Sequence, residues 1–203
     1  MQLSPNTAAT LEAAVRAHEA RSSAEICVVL AARSGSYRDL ALGLGLGVAW
    51  ALLAIMVLSP MEFAPVAAVV ELPLVALAVS WAAHRSPRLL RALAGRARRE
   101  RQVEVAAAAA FHQEDVHLTR ERTGVLVYLS VLEGRAVVLP DAAVEGLIPA
   151  ARLRELPWGG LRTTEQALAG LEALAGLLAE ALPPNPDNPN ELPDAPRLRA
   201  GGG

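Results

Sequence analysis

The pattern of apolar and polar positions divides the chain into short periodic segments on either side of one long apolar block. Over residues 5–21, Leu11, Ala14, Val15 and His18 share a helical face, with Ser4-Pro5 as cap and first turn. His18 has no second histidine at metal spacing and reads as a solvated residue at the helix edge. Residues 24–32 (AEICVVLAA) form an apolar run rich in β-branched side chains, the signature of a buried strand. Beyond the block, Val103, Ala106, Ala107, Ala110 and Phe111 recur at helical spacing over residues 100–115. Residues 124–131 and 135–139 read as a β-hairpin around a tight turn at Glu133-Gly134. A short helix over 142–153 is interrupted at Pro149. Thr163 and Gln166 then stand as a capping box before a helix with Leu168, Leu171, Leu174 and Leu178 on one face, ending ahead of Pro183-Pro184.

The block itself covers residues 40–83. Residues 40–61 carry no charge, and about twenty apolar residues on a helix cross the roughly 30 Å hydrocarbon layer of a bilayer. Residues 64–83 form a second span that contains Glu71, Pro65 and Pro73, with Pro73 shortening its helix. Arg33 and Arg38 precede the pair, Arg85, Arg88, Arg91, Arg96, Arg98, Arg99 and Arg101 follow it, and the connection over 59–65 has no basic residue. The positive-inside rule therefore puts both ends of the chain in the cytoplasm. Trp81 falls where an interfacial anchor belongs, and Trp50, mid-span, is expected to pack against the partner helix.

Residues 84–100 put Leu89, Leu90 and Leu93 on one side and arginines on the other. This is the pattern of a helix at the headgroup layer, with Arg85, Arg88, Arg91, Arg96, Arg98 and Arg99 facing anionic lipid headgroups. No aromatic side chains interleave these arginines, so nucleic acid is not the expected partner. Residues 183–203 are rich in proline and asparagine and poor in large apolar side chains, and are expected to be disordered. The organisation that results is a discontinuous domain, 1–39 with 101–182, interrupted by the hairpin 40–83 and the basic segment 84–100.

Composition adds three points. The net charge of −2 gives no global field for a polyanion. Cys27 is the single cysteine, so neither an intrachain disulfide nor a thiolate zinc cluster can form, and its apolar neighbours make it a buried core thiol. The opening MQLSPNTAATLEAAV has no basic n-region and no apolar h-region, so a cleaved signal peptide is not expected.

Catalytic signatures are absent: there is no P-loop, HExxH, GxSxG or Cys–His pairing. The densest polar cluster is His112, Glu114, Asp115 and His117, followed by Thr119, Glu121 and Thr123. Glu114, Asp115 and Glu121, with Asp141 after the second hairpin strand, are the candidate ligands for calcium or another divalent cation, which carboxylates suit. The same residues equally describe a solvated helix end and loop. Glu71 is the other outlier. An ionisable group in a span costs about 2.5–3.5 kcal/mol at its centre, so Glu71 either reaches the interface or serves an intramembrane contact.

From Thr119 through Arg122-Thr123-Gly124-Val125-Leu126 to Glu133, Arg135 and Val137-Val138-Leu139-x-Asp141, the chain resembles the TPM domain family, also called the TPM phosphatase family. It is similar above all to bacterial membrane proteins in which a transmembrane hairpin interrupts that domain. The likeness extends to SAEICVV, SYRDLAL and AAAAAFHQEDVHLTRERTGVL, about 120 residues in all. The resemblance implies an α/β/α sandwich, a small sheet with helices on both faces. It also implies association with assembly or repair of membrane complexes, and in some members calcium binding and weak acid-phosphatase activity, but no catalytic set carries over residue by residue. The expected function is a two-span inner-membrane accessory or scaffold protein that binds another membrane protein or complex and needs no cofactor. The rival is a divalent-metal-dependent phosphatase. Transport is disfavoured because two spans alone enclose no pathway.

Overall fold

A computed structural model describes residues 5–61, 63–158, 160–185, 187 and 190–200; the expected cap Ser4 and the glycines 201–203 of the tail lie outside them. The chain divides into two units, Met1–Gly35 with Arg99–Gly203 and Ser36–Arg98.

The first unit is built on a four-stranded mixed sheet in the order β3-β2-β1-β4. Its strands are β1 (Glu25–Ala31), β2 (Gly124–Ser130), β3 (Arg135–Pro140) and β4 (Arg197–Arg199). All seven residues of β1 and all seven of β2 are buried, as befits strands covered on both faces. Alternation then sorts the side chains by face. Ile26, Val28, Leu30, Val125, Val127 and Leu129 meet Leu11 and Val15 of α1 (Pro5–Glu19) and Leu171, Leu174 and Leu178 of α8 (Thr164–Ala181). Cys27, Val29, Ala31, Leu126 and Tyr128 meet Val103, Ala107 and Ala110 of α5 (Arg96–Gln113). This is an α/β fold of three layers. Burial pushes the Cys27 thiol up to about 11, leaving it inert at neutral pH.

β1 and β2 run parallel, Glu25 beside Gly124 through Ala31 beside Ser130. Parallel neighbours need a crossover, and α5 supplies it. The apolar block lies within that same crossover. β2 and β3 form the antiparallel hairpin, closed by the four residues 131–134 where a two-residue turn is expected. Gly134 takes a φ of 65° and its N–H bonds Ser130 O at 3.0 Å. Pro140 ends β3 at the sheet's edge, where the lost N–H costs no ladder bond. Pro149 splits the expected helix 142–153 into α6 (Ala142–Leu147) and α7 (Ala150–Arg154). The capping box forms as read: Thr163 Oγ1 accepts from Gln166 N, and Gln166 Oε1 from Thr163 N.

Two expectations for this unit are corrected. His18 is buried, not solvated, with Nδ1 3.5 Å from Glu172, because α8 closes over that face of α1. The tail does not stay free: residues 197–199 pair in parallel with Val29–Ala31 of β1, and Leu192 is buried. Its scarcity of apolar residues is offset by polar anchors and by the open edge of β1, whose backbone groups require a partner. Pro186, Asn188 and Pro189 of that tail lie outside the described residues.

The second unit holds α2 (Arg38–Leu58), α3 (Pro65–Arg85) and α4 (Pro87–Leu93). α2 and α3 have 21 residues each, about 31 Å at 1.5 Å per residue. Windows of mean hydropathy 2.4 and 1.3 lie in them, with only 11 % and 17 % of those windows buried, so neither is the core helix of a soluble domain. α3 runs unbroken through Pro73, where the sequence suggests a shortened helix; one missing backbone donor is tolerated in an apolar helix. The basic segment is not one helix: Ser86 caps α4 with Pro87 in its first turn, and Arg96, Arg98 and Arg99 open α5 instead.

Candidate functional site

Small residues set the seam between α2 and α3. Ala41 and Gly45 on α2 and Ala76, Ser80 and Ala83 on α3 are buried. A side chain added at Gly45 would run into Ser80 Oγ and the Ala76 carbonyl, so the backbones approach as closely as glycine allows. Ser80 donates to Ala76 O at 2.7 Å, satisfying its hydroxyl inside its own helix. Trp50 is excluded from so narrow a seam and points outward, 73 % exposed, contrary to its expected packing on the partner helix. Trp81 is also exposed, with the Arg85 guanidinium 4.7 Å from its ring centroid.

Glu71 is exposed on α3, six positions after Pro65 and so about 9 Å along the helix from that end. The buried residues of α3, Ala76, Ser80 and Ala83, lie on a different face of the helix.

The juxtamembrane arginines are not equivalent. Arg98 grips Asp39 with two bonds of 2.7 and 2.9 Å, reaches Ser36 O, and lies over the Tyr37 ring. Arg85, Arg88 and Arg91 sit at the end of α3 and on α4, and Arg96 and Arg99 in the first turn of α5.

In the sheet unit the four candidate carboxylates are not brought together. Glu114 is taken by Arg197 at 3.1 Å and Arg199 at 2.6 Å. Asp115 is exposed with a φ of 56°, and Glu121 is exposed on the following turn. Asp141 is buried, caps α6 by accepting from Ala142 N at 2.8 Å, and lies 2.9 Å from Arg122 Nε. Among the described residues no three His, Cys, Asp or Glu side chains converge on a metal position. The left-handed turn at Asp115 does bring the rings of His112 and His117 to 5.0 Å, a proximity their five-residue spacing on one helix would forbid.

Two polar sites have no local signature in the sequence. In the first, Glu133 is buried and accepts from Ser34 N at 3.1 Å, Gly35 N at 3.3 Å and Ser130 Oγ, while Ser34 Oγ lies 2.7 Å from Ser130 Oγ. This network fixes the backbone as it leaves β1. The second is a cleft of about 490 Å³ that gathers Arg16, Glu19, Glu25 and Asp194. Glu25 accepts from the backbone of Glu191 and Leu192, both at 3.2 Å, and Asp194 from Arg16 at 3.1 Å and Asn190 at 2.7 Å. Burial pushes the Glu19 carboxyl up to about 8, with Glu25 and Asp194 adding to the effect, although Ile26 N–H donates to it at 3.0 Å. Asn190 and Arg16 hold Asp194 below its ordinary range. These carboxylates fasten the tail to α1 and β1. Glu19 Oε1, Glu25 Oε2 and both oxygens of Asp194 accept from backbone or side-chain donors of the protein itself, which is the chemistry of an anchor.

The fold and its surfaces thus define a class: a small α/β domain with a long apolar helical hairpin carried in the crossover between two parallel strands. No family model matches the chain, and no curated protein does. Among solved structures the chain is similar to the BA42 protein from the psychrophilic bacterium Bizionia argentinensis, known by NMR, with 16% sequence identity and a TM-score of 0.56 over 100% of this chain and 97% of that one. At that identity the likeness shows the α/β fold alone.

Proposed function

We propose that the protein is a membrane-anchored accessory or scaffold protein of the TPM type. In this reading α2 and α3 cross the inner membrane, and the α/β domain stands on the cytoplasmic side to hold another membrane protein or complex in place. One observation carries the anchoring: β1, before the hairpin, pairs residue by residue with β2, after it. Both halves must therefore lie on one side of a bilayer, and two spans satisfy that where one cannot. Arginines flank the hairpin only at its domain end, which makes that side cytoplasmic.

The scaffold role is supported by where polarity is left over. Glu114 and Asp141, two of the four candidate carboxylates of the phosphatase reading, are paired with arginines of the same chain. Glu71 stays exposed on a span, where a partner helix can hydrogen-bond it for about 0.6–2 kcal/mol, enough to orient a contact. Glu71→Gln is expected to keep the copurification of cross-linked membrane partners from mild detergent, and Glu71→Leu to weaken it while leaving membrane insertion intact. If both variants capture partners as the wild type does, Glu71 is not the contact.

A further inference from the structure

The end of the hairpin nearest Arg38 holds a groove that neither span fills. It has a volume of about 310 Å³ and lies between α2 and α3, lined by Leu42, Leu77 and Trp81 and, toward the start of α2 and the end of α3, by Arg38 and His84. Leu42 is 51 %, Leu77 62 % and Trp81 62 % exposed, so the walls present apolar surface that the protein leaves uncovered. Ser80 on the floor has spent its hydroxyl on Ala76 O and adds no polarity. His84 lines the groove, and its buried Nδ1 atom has no hydrogen-bond partner among the described residues.

Charge at this end is one-sided. Residues 36–41 and 84–98 contain six arginines and one acidic residue, Asp39. Arg98 engages both oxygens of that carboxylate, so Arg38 and His84 have no anion to meet from Asp39. The groove therefore combines an apolar floor with a cationic rim at the level of the interfacial Trp81, which matches one phosphate joined to a hydrocarbon chain.

We propose that this groove is a binding site for one anionic phospholipid, with its phosphate held by Arg38 and His84 and the first part of an acyl chain lying along Leu42, Leu77 and Trp81. A groove this size seats the glycerol end of a single lipid, and the remainder of that lipid stays in the bilayer. The site differs from the diffuse attraction of Arg88 and Arg91 for a charged surface, because it has a shape and a stoichiometry. It rests on the reading that the hairpin lies in a membrane.

The test uses the full chain in mild detergent with dioctanoyl phosphatidylglycerol, dioctanoyl phosphatidylcholine or inorganic phosphate, and native mass spectrometry to count what is retained. One phosphatidylglycerol per chain is expected, held about tenfold more tightly than phosphatidylcholine, in line with the Arg38 guanidinium and an imidazole beside one phosphate. The double variant Arg38→Gln/His84→Gln loses that preference, and Arg88→Gln/Arg91→Gln keeps it. Leu42→Trp, which fills the groove and leaves its charges, lowers retention as well. Equal retention of the two lipids, equal damage from the Arg88/Arg91 pair, or displacement of the lipid by inorganic phosphate would overturn the site. An alkaline wash of membranes separates the two readings. Variants that stay embedded without lipid preference sink the groove alone, whereas release of the wild type sinks the anchor and the groove together.

Discussion

Glu19 keeps a proton that an exposed carboxyl gives up near pH 4.5, because its burial lifts that value to about 8. Below about pH 4.5 both folded and unfolded chains are protonated and nothing is lost. Between 4.5 and 8 the unfolded chain releases its proton while the folded one retains it, so stability falls as pH rises through that window. Glu19→Gln preserves the acceptor for Ile26 N–H and removes the titration. It should stabilise the protein at pH 8 relative to wild type by on the order of 1–3 kcal/mol after allowance for solvent access, seen as a higher thermal midpoint, and leave it near wild type at pH 5. His18, held below its ordinary range mainly by burial, acts in the opposite sense but is common to both proteins and cancels in the comparison. Gly134 makes a second test at this scale. Its φ of 65° suits glycine and resists a β-branched side chain, so Gly134→Val should cost on the order of 1–3 kcal/mol in thermal unfolding. An unchanged midpoint would place the turn elsewhere. The need for glycine there was legible because a turn is local. The fate of Glu114 was not: its arginines come from the tail, Arg199 lying 85 positions away, and spacing within residues 112–121 carries no trace of them.

Elements were legible in proportion to how far their causes lie within themselves. The capping box at Thr163 and Gln166 and the apolar runs of β1 and β2 are written in adjacent residues, and they fold as they read. β4 has three residues and no apolar pattern, and exists because β1 offers an open edge, so sequence periodicity could not find it. The path of α3 through Pro73 and the outward turn of Trp50 depend on a neighbouring helix in the same way. The seam between α2 and α3 can be probed directly. Gly45→Leu should destabilise the detergent-solubilised protein by about 1–3 kcal/mol of overpacking, seen as a lower thermal midpoint, since Ser80 and Ala76 leave it no room. Gly43→Leu, with nothing within 4 Å of the added carbon, should not. Similar losses from both would mean that the helices do not meet along Gly45.

At the scale of the whole molecule, the sheet and the hairpin constrain each other. A parallel pair obliges the chain to cross from the C-terminal end of β1 to the opposite end of the sheet, where β2 begins, and the same crossover that carries α5 carries two apolar helices. Whatever the hairpin enters, it must leave on the same side. Sheet order could not be read from local pattern, but the need for an even number of spans was visible once residues 24–32 and 124–131 were both read as strands. The most direct measurement is therefore topological. Reporters active only in the cytoplasm or only in the periplasm, fused at residue 1 and near residue 185, should both register cytoplasm. A periplasmic signal from either one, with the protein still embedded, would contradict the two-span anchor and the joined sheet together.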